Sequence, residues 1–253
     1  MTIGHTILGH GPERVVVMHG WFADHTVFLP MMPALDVKRF TYAFIDYRGY
    51  GKSRDMKGDY SMRELAADAI ALADELGWKR FHAVGHSMGG MAIQRIMVDA
   101  KGRVKSAVAI TPAPASGVPF EGEQLALFEG AATRDASRRT IIDFSTGNRL
   151  SGAWLDWMVA ASRQTTTEPA FAGYFQAWSK TNFVGEVTGD RTPMLVLSGE
   201  HDAALTADVM RATYLKWLPR AELAILPNAG HYPMQEVPVY LATVMEKFMT
   251  AHA

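Results

Sequence analysis

The sequence has 253 residues, of which 48% are hydrophobic and 20% are charged, and its formal net charge is -1. This composition is typical of a globular protein with one large core, and the charge balance lacks the basic excess of nucleic-acid-binding proteins. The absence of cysteine excludes disulfide bonds and thiolate metal sites.

The first residues of the chain do not resemble a targeting signal. They lack the basic start, apolar core and small-residue cleavage site of a secretory signal peptide. No apolar run in the sequence approaches the length needed to span a bilayer. We therefore expect a cytoplasmic protein that binds neither a membrane nor nucleic acid, while its oligomeric state stays open.

Short apolar runs alternate with helical patterns along the first half of the chain. The runs at 15–18, 41–45, 81–84 and 104–110 are typical of buried strands. A helix is predicted over 61–76, because it opens with the capping-box pattern Ser61-Met62-Arg63-Glu64 and stops before Gly77.

The pattern resumes near the C-terminus with strands at 194–197 and 221–226, and with helices over 206–218 and from residue 237 onwards. Such alternation predicts an α/β fold, with a mostly parallel twisted sheet of about seven or eight strands and helices on both faces.

The alternation is interrupted between residues 112 and 192. This stretch is expected to form three or four short helices, broken at Gly130, Gly147 and the Glu168-Pro169 pair. We predict a helical cap (112–192) inserted into a core domain (1–111 and 193–253). Most of its aromatic residues should fill its own core while a few face a cleft. The aromatic residues of this stretch include Trp154, Trp157, Phe171, Tyr174, Phe175, Trp178 and Phe183.

A serine flanked by glycines lies between a predicted strand and a predicted helix, in the stretch Gly85-His86-Ser87-Met88-Gly89. This Gly-x-Ser-x-Gly pattern is typical of a nucleophile elbow, where a sharp turn exposes the serine hydroxyl at a helix N-terminus. Glycines at both flanking positions remove side chains that would collide in such a turn. The pattern indicates Ser87 as a catalytic nucleophile.

A serine hydroxyl needs a base, and the base needs an acid to orient it. Asp202 and His231 each follow a predicted C-terminal strand, and the chain order of serine, aspartate and histidine is the order expected of this architecture. Glu200 is a neighbouring competitor for the role of the acid. The sequence thus predicts a catalytic triad of Ser87, Asp202 and His231.

Together these motifs resemble the α/β-hydrolase superfamily over essentially the whole chain. The loop His19-Gly20-Trp21-Phe22 resembles the oxyanion loop of that superfamily, and residues 46–53 resemble its Asp-x-Arg-Gly-x-Gly-x-Ser turn. The resemblance implies that the backbone N–H groups of Trp21 and Met88 form an oxyanion hole. Too few residues precede residue 15 for the leading hairpin of the family, so one of eight strands is expected to be missing or reduced.

Several positions differ from other members of the superfamily, and these differences reduce the number of reactions to be expected. Ser87 stands where haloalkane dehalogenases and epoxide hydrolases carry an aspartate, which disfavours both reactions. The oxyanion loop is less glycine-rich than in carbon–carbon bond hydrolases, and Trp21 looks more like carboxylesterases, some of which are also perhydrolases. Residues 51–53 match the end of a phosphate-binding P-loop, but Asp46 stands where that motif has its first glycine. A nucleotide-binding site is therefore not expected. His19 and Arg48 are expected to brace loops.

The sequence therefore predicts a serine hydrolase that cleaves a small, mostly uncharged carboxylic ester or lactone through an acyl-enzyme. We expect no cofactor and no metal site, because no group of His, Asp and Glu residues has metal-ligand spacing. The alternatives are a ligand-binding receptor on a hydrolase scaffold, a carbon–carbon bond hydrolase and a perhydrolase.

Overall fold

The computed structural model describes residues 2–253. Its helices pack around one central sheet. Within these residues, seven strands lie in the order β1-β3-β2-β4-β5-β6-β7, and every neighbouring pair is parallel except β1 with β3. The strands are His5–Gly9 (β1), Glu13–Met18 (β2), Phe40–Ile45 (β3), Phe81–His86 (β4), Val104–Ile110 (β5), Met194–Gly199 (β6) and Ala221–Leu226 (β7).

Helices cover both faces of this sheet, which confirms the predicted fold class. None of the helices in residues 2–253 is long and apolar enough to cross a bilayer. The helices are Met62–Glu75 (α1), Met88–Asp99 (α2), Gly122–Gly130 (α3), Asp135–Ser145 (α4), Gly152–Thr165 (α5), Glu168–Lys180 (α6), Val184–Val187 (α7), Ala207–Ala212 (α8), Tyr214–Trp217 (α9), Pro233–Glu236 (α10) and Pro238–Ala251 (α11).

The inner strands are buried because helices cover both of their faces. Every residue of β3, β4 and β6 is buried, whereas β1 and β7 form the edges and are largely half-exposed. This is why the inner strands appear in the sequence as continuous apolar runs rather than as alternating ones. The carboxyl ends of β4, β6 and β7 meet at one edge of the sheet, where the candidate site lies.

Helix α1 begins as predicted, but its cap differs in one detail. The Ser61 hydroxyl accepts a hydrogen bond from the Glu64 amide, as a capping box requires. The Glu64 carboxylate, however, accepts from the amides of Tyr60 (2.9 Å) and Asp59 (3.2 Å) rather than from Ser61. Tyr60 has a positive φ of 52°, and the turn formed there brings these earlier amides to the carboxylate.

Two helix predictions differ from the structure. The predicted helix over 206–218 is divided into α8 and α9, because Thr213 leaves the helical conformation (φ -118°, ψ -86°) and its hydroxyl donates to the Val209 carbonyl. Between β5 and β6 there are five helices instead of three or four. The break predicted at Glu168-Pro169 is present, since α5 ends at Thr165 and α6 begins at Glu168 with Pro169 in its first turn, where proline is tolerated. The division into a core domain and a cap stays a prediction.

Candidate active site

Ser87 lies in a strained turn between β4 and α2. Its backbone has φ 52° and ψ -116°, and a positive φ is uncommon for any residue other than glycine. Such a conformation costs about 1–3 kcal/mol and persists only where the surroundings enforce it. The serine is the N-cap residue of α2, so its hydroxyl lies at the positive end of a twelve-residue helix.

Both flanking glycines are required by close backbone packing. A Cβ atom on Gly85 would lie 2.2 Å from the Gly89 carbonyl oxygen, and one on Gly89 would lie 2.5 Å from the Met18 carbonyl oxygen. Gly20 is similarly crowded, since its Cβ would lie 2.7 Å from His86 Nδ1. The turn therefore accepts no side chain two positions before or two positions after Ser87.

The structure brings Ser87, His231 and Asp202 together. Ser87 Oγ lies 3.0 Å from His231 Nε2, and His231 Nδ1 lies 2.7 Å from Asp202 Oδ2. The second carboxylate oxygen of Asp202 accepts hydrogen bonds from the amides of Ala204 and Leu205, both at 2.9 Å. Asp202 and His231 are buried, at 4% and 8% exposure. One carboxylate oxygen is thus fixed by backbone amides, and the other holds the Nδ1 edge of the imidazole.

Glu200 does not contact this histidine. It is exposed, and its carboxylate accepts from the Asn228 amide at 2.9 Å and lies 3.6 Å from His201 Nε2. Of the two acids considered from the sequence, only Asp202 is within hydrogen-bond distance of the His231 ring.

Two buried residues missed in the sequence hold the backbone of His231. His86 Nε2 donates to the His231 carbonyl at 2.8 Å, and the Thr111 hydroxyl donates to the same oxygen at 3.0 Å. Burial lowers the pKa of His86 well below its usual range, so His86 stays neutral. Thr111 has φ 41°, a conformation that is rare for a β-branched residue. The only available signal was the position of His86 inside the Gly-x-Ser-x-Gly pattern.

The amides of Trp21 and Met88 are both available to a ligand. Neither donates a hydrogen bond to an acceptor within residues 2–253. Trp21 is held firmly, because the Tyr50 hydroxyl donates to its carbonyl (2.9 Å) and its indole N–H donates to the Phe171 carbonyl (2.7 Å). The Trp21 and Phe171 rings also stack, with centroids 4.2 Å apart. The Trp21 N–H itself belongs to the Gly20–Trp21 peptide, whose carbonyl accepts a hydrogen bond from His19 Nδ1 at 2.7 Å. The backbone is therefore held on both sides of Trp21.

A cavity of about 390 Å³ lies over Ser87. Aspartate, glutamate, lysine and arginine are all absent from its lining within the described part of the chain. Gln124, Thr140 and Phe144 are exposed and rim its mouth between α3 and α4. Aromatic and aliphatic side chains dominate the interior, including Trp21, Phe22, Val118, Phe120, Leu127, Phe128, Ile141, Trp178 and Leu205. The interior of the cavity is therefore largely apolar.

His19 and Arg48 make hydrogen bonds that hold the loops in which they lie, in agreement with the bracing role predicted for both. His19 is fully buried and its Nδ1 donates to the Gly20 carbonyl at 2.7 Å. The Arg48 guanidinium makes two hydrogen bonds to the Asp68 carboxylate, at 2.7 and 2.8 Å.

Asp24, His25 and Asp46 form a cluster that their spacing in the sequence did not indicate, with ligand atoms within 4.8 Å of one another. The Asp46 carboxylate accepts from the His25 amide (2.8 Å), from the His25 ring (2.8 Å) and from the Lys52 amide (2.9 Å). Asp24 accepts from the Thr26 amide at 2.9 Å and so caps a short 3₁₀ helix. These bonds give all three side chains a structural role in loop packing.

Residues 13–236 match the family described as the alpha/beta hydrolase fold. The chain belongs to this family. One relative is the dihydrolipoyllysine-residue acetyltransferase component of an acetoin cleaving system from Pseudomonas putida, 28% identical over 249 residues. The match covers 96% of this chain and 65% of that protein, so the chain spans about two thirds of that relative's length.

Two other similar proteins match over nearly their full length. The pimeloyl-[acyl-carrier protein] methyl ester esterase of Nitrosomonas europaea is 28% identical over 249 residues, with 91% of this chain and 92% of the esterase covered. An esterase from Exiguobacterium antarcticum has a similar structure, with a TM-score of 0.87, 18% identity, and coverage of 98% and 95%. Family membership supports a hydrolase role toward a small-molecule substrate.

Proposed function

We propose that this protein is a serine hydrolase that cleaves a small, mostly uncharged carboxylic ester or lactone through an acyl-enzyme intermediate. The observation that carries the proposal is the line of hydrogen bonds from Ser87 through His231 to Asp202 under an uncharged cavity. In this proposal Ser87 is the nucleophile, His231 is the base and Asp202 is the acid that orients the base.

The first step forms the acyl-enzyme. His231 Nε2 takes the hydroxyl proton while Ser87 Oγ attacks the substrate carbonyl carbon, and Asp202 stabilises the imidazolium through the Nδ1–H bond. Negative charge develops on the carbonyl oxygen, where the Trp21 and Met88 amides donate hydrogen bonds. Each such donor contributes about 3–4 kcal/mol to stabilisation of the transition state.

The intermediate then collapses and water completes the reaction. The carbon–oxygen bond to the leaving group breaks, and His231 returns its proton to the departing alkoxide. A water molecule next gives a proton to His231 and attacks the acyl carbon, which releases the acid and restores the Ser87 hydroxyl. A lactone follows the same steps and leaves as one hydroxy acid.

The cavity lining supports the choice of substrate. Burial of each methylene is worth about 0.8 kcal/mol, which corresponds to a rise in kcat/KM of up to roughly fourfold for each methylene that fits. A charged group would have to leave water and enter a cavity without a compensating charge, which is unfavourable. The relative from Nitrosomonas europaea, named as a methyl ester esterase, supports ester cleavage in a protein of this sequence class.

The proposal is tested with a series of p-nitrophenyl esters from acetate to decanoate, several lactones and a dianionic ester, at fixed ionic strength. We expect multiple turnovers, a rise in kcat/KM with chain length until the cavity is full, and poor turnover of the dianion. Ser87→Ala is the matched control and should lose turnover. A flat series would refute the apolar-cavity argument. Binding with at most a single turnover would instead indicate a receptor-like protein.

A further inference from the structure

A buried carboxylate accepts hydrogen bonds from the backbone amides of the two residues on either side of His231. Glu236, the last residue of α10, accepts from the Gly230 amide at 2.8 Å through Oε2 and from the Tyr232 amide at 3.0 Å through Oε1. Its side chain is only 3% exposed. Because these amides lie on either side of His231, the position of Glu236 helps to determine where the imidazole lies.

The charge of Glu236 is matched by an arginine from a distant part of the chain. Arg149, in the turn between α4 and α5, donates to Glu236 Oε2 at 2.9 Å through Nη1. The same guanidinium donates to the Thr146 carbonyl (3.1 Å) and to the Asn228 carbonyl (3.0 Å). Arg149 therefore ties its own turn to the loop that carries His231.

The turn that carries Arg149 is packed against the loops of both the histidine and the acid. Gly147 and Asn148 have positive φ values of 71° and 55°, which makes this turn compact. A Cβ on Gly230 would lie 2.7 Å from Thr146 Cα, and one on Gly147 would lie 2.9 Å from the His201 carbonyl oxygen. The turn thus abuts the residue before His231 and the residue before Asp202.

Helix α4 leads directly into this turn and also lines the substrate cavity through Thr140, Ile141, Phe144 and Ser145. We propose that Arg149 and Glu236 are positioning residues, which keep His231 aligned with Ser87 and couple that alignment to the α4 wall of the cavity. The catalytic part of this inference rests on the proposed role of His231 as the base.

The expected effect follows from geometry. The Ser87–His231 contact is 3.0 Å, and a shift of about 1 Å in a reacting group can cost on the order of 100-fold in rate. Loss of Arg149 leaves Glu236 buried without its cation but still bonded to two amides, so we expect a smaller shift and a fall in kcat of about tenfold. KM should change by less than about twofold, because Arg149 does not line the cavity.

Arg149→Ala is compared with Arg139→Ala as a matched control. Arg139 is a half-exposed arginine of α4 that pairs with Asp156 at 3.0 Å and does not contact the His231 loop. Two readouts are measured on the full-length protein. These are kcat and KM on the best ester of the series above, and the hydrogen–deuterium exchange rates of the Gly230 and Tyr232 amides.

We expect Arg149→Ala to lower kcat and to accelerate exchange of both amides, while Arg139→Ala changes neither. Glu236→Gln should also lower kcat, and the double variant should lose little more than the worse single variant, since both residues act through one contact. Partial recovery of kcat when guanidinium ion is added to Arg149→Ala would support the proposal further.

Unchanged amide exchange or unchanged kcat in Arg149→Ala would overturn the proposal, as would an equal loss in Arg139→Ala or fully additive losses in the double variant. A failure of the proposed hydrolase function would give a different result from a failure of the positioning role. If the unmodified protein turned over none of the esters, the hydrolase proposal would fail. The exchange rates would still decide whether Arg149 holds the His231 loop.

Discussion

The substitution Asp202→Asn tests the role of the acid, and its effect can be worked out from the hydrogen bonds of the side chain. Asp202 Oδ1 accepts from two backbone amides at 2.9 Å, and Oδ2 faces His231 Nδ1 at 2.7 Å. An asparagine would keep its only oxygen toward the two amides and present its NH₂ group to Nδ1. His231 would then carry its proton on Nε2 and could not accept the proton of Ser87.

The expected loss is about four orders of magnitude in kcat, which corresponds to about 5 kcal/mol of transition-state stabilisation. Steady-state hydrolysis of the best p-nitrophenyl ester measures it, and a thermal unfolding scan checks that the variant is folded. Glu200→Gln is the matched control. It should keep kcat within about twofold, because Glu200 does not contact His231. A larger loss in Glu200→Gln than in Asp202→Asn would refute the reasoning and assign the acid to Glu200.

Three further variants follow from the structure. Gly85→Ala should lower the melting temperature and the yield of folded protein, because its Cβ would lie 2.2 Å from a backbone oxygen of α2; a wild-type melting curve would contradict this. Tyr50→Phe removes the hydrogen bond to the Trp21 carbonyl and should reduce kcat by roughly two- to tenfold. An unchanged kcat would contradict a catalytic role of the Trp21 amide. The hydrogen bond to Asp46 raises the pKa of His25, so this pair stabilises the fold below pH 6.5 and loses that contribution as the pH rises through the raised pKa. His25→Asn should therefore show a smaller fall in unfolding free energy between about pH 6 and about pH 9 in urea titrations.

The parts of the site that the sequence could predict are those determined by local pattern. The position of Ser87 could be predicted because a strand, a Gly-x-Ser-x-Gly turn and a helix follow one another within a few residues. The proximity of Asp202 and His231 could be predicted because each follows a strand, and parallel strands place their carboxyl ends at one edge of the sheet. In these cases chain order and strand ends are sufficient to place a side chain.

Most of the residues that hold His231 could not be predicted, because His86, Thr111 and Arg149 reach its loop only through tertiary packing. Arg149 is separated from Glu236 by 87 residues, and Thr111 from His231 by 120. In the sequence, a glutamate two residues before a proline (Glu236) or an arginine in a polar turn (Arg149) looks like an ordinary surface residue. The sequence places a glycine at position 230, but only the structure explains why a glycine is needed there, because Thr146 approaches it closely.

Helix boundaries were predictable where caps are strong and less so where side chains compete with the backbone. Ser61 marked the start of α1 correctly. Thr213 interrupted a predicted helix, since its hydroxyl bonds to the carbonyl four residues earlier. The helices between β5 and β6 were undercounted, because α7 (Val184–Val187) has only four residues, which is too short for a periodic pattern.

The central claim is that Ser87 is a nucleophile activated by His231. Only a serine with a base at hydrogen-bond distance in an oxyanion site reacts rapidly with a fluorophosphonate. The most direct test is to treat the protein with such a probe and to locate the adduct by peptide mass spectrometry. The account predicts one adduct, on Ser87, with no labelling and no turnover in Ser87→Ala. An adduct on Ser53 or Ser198, or undiminished activity in Ser87→Ala, would contradict it.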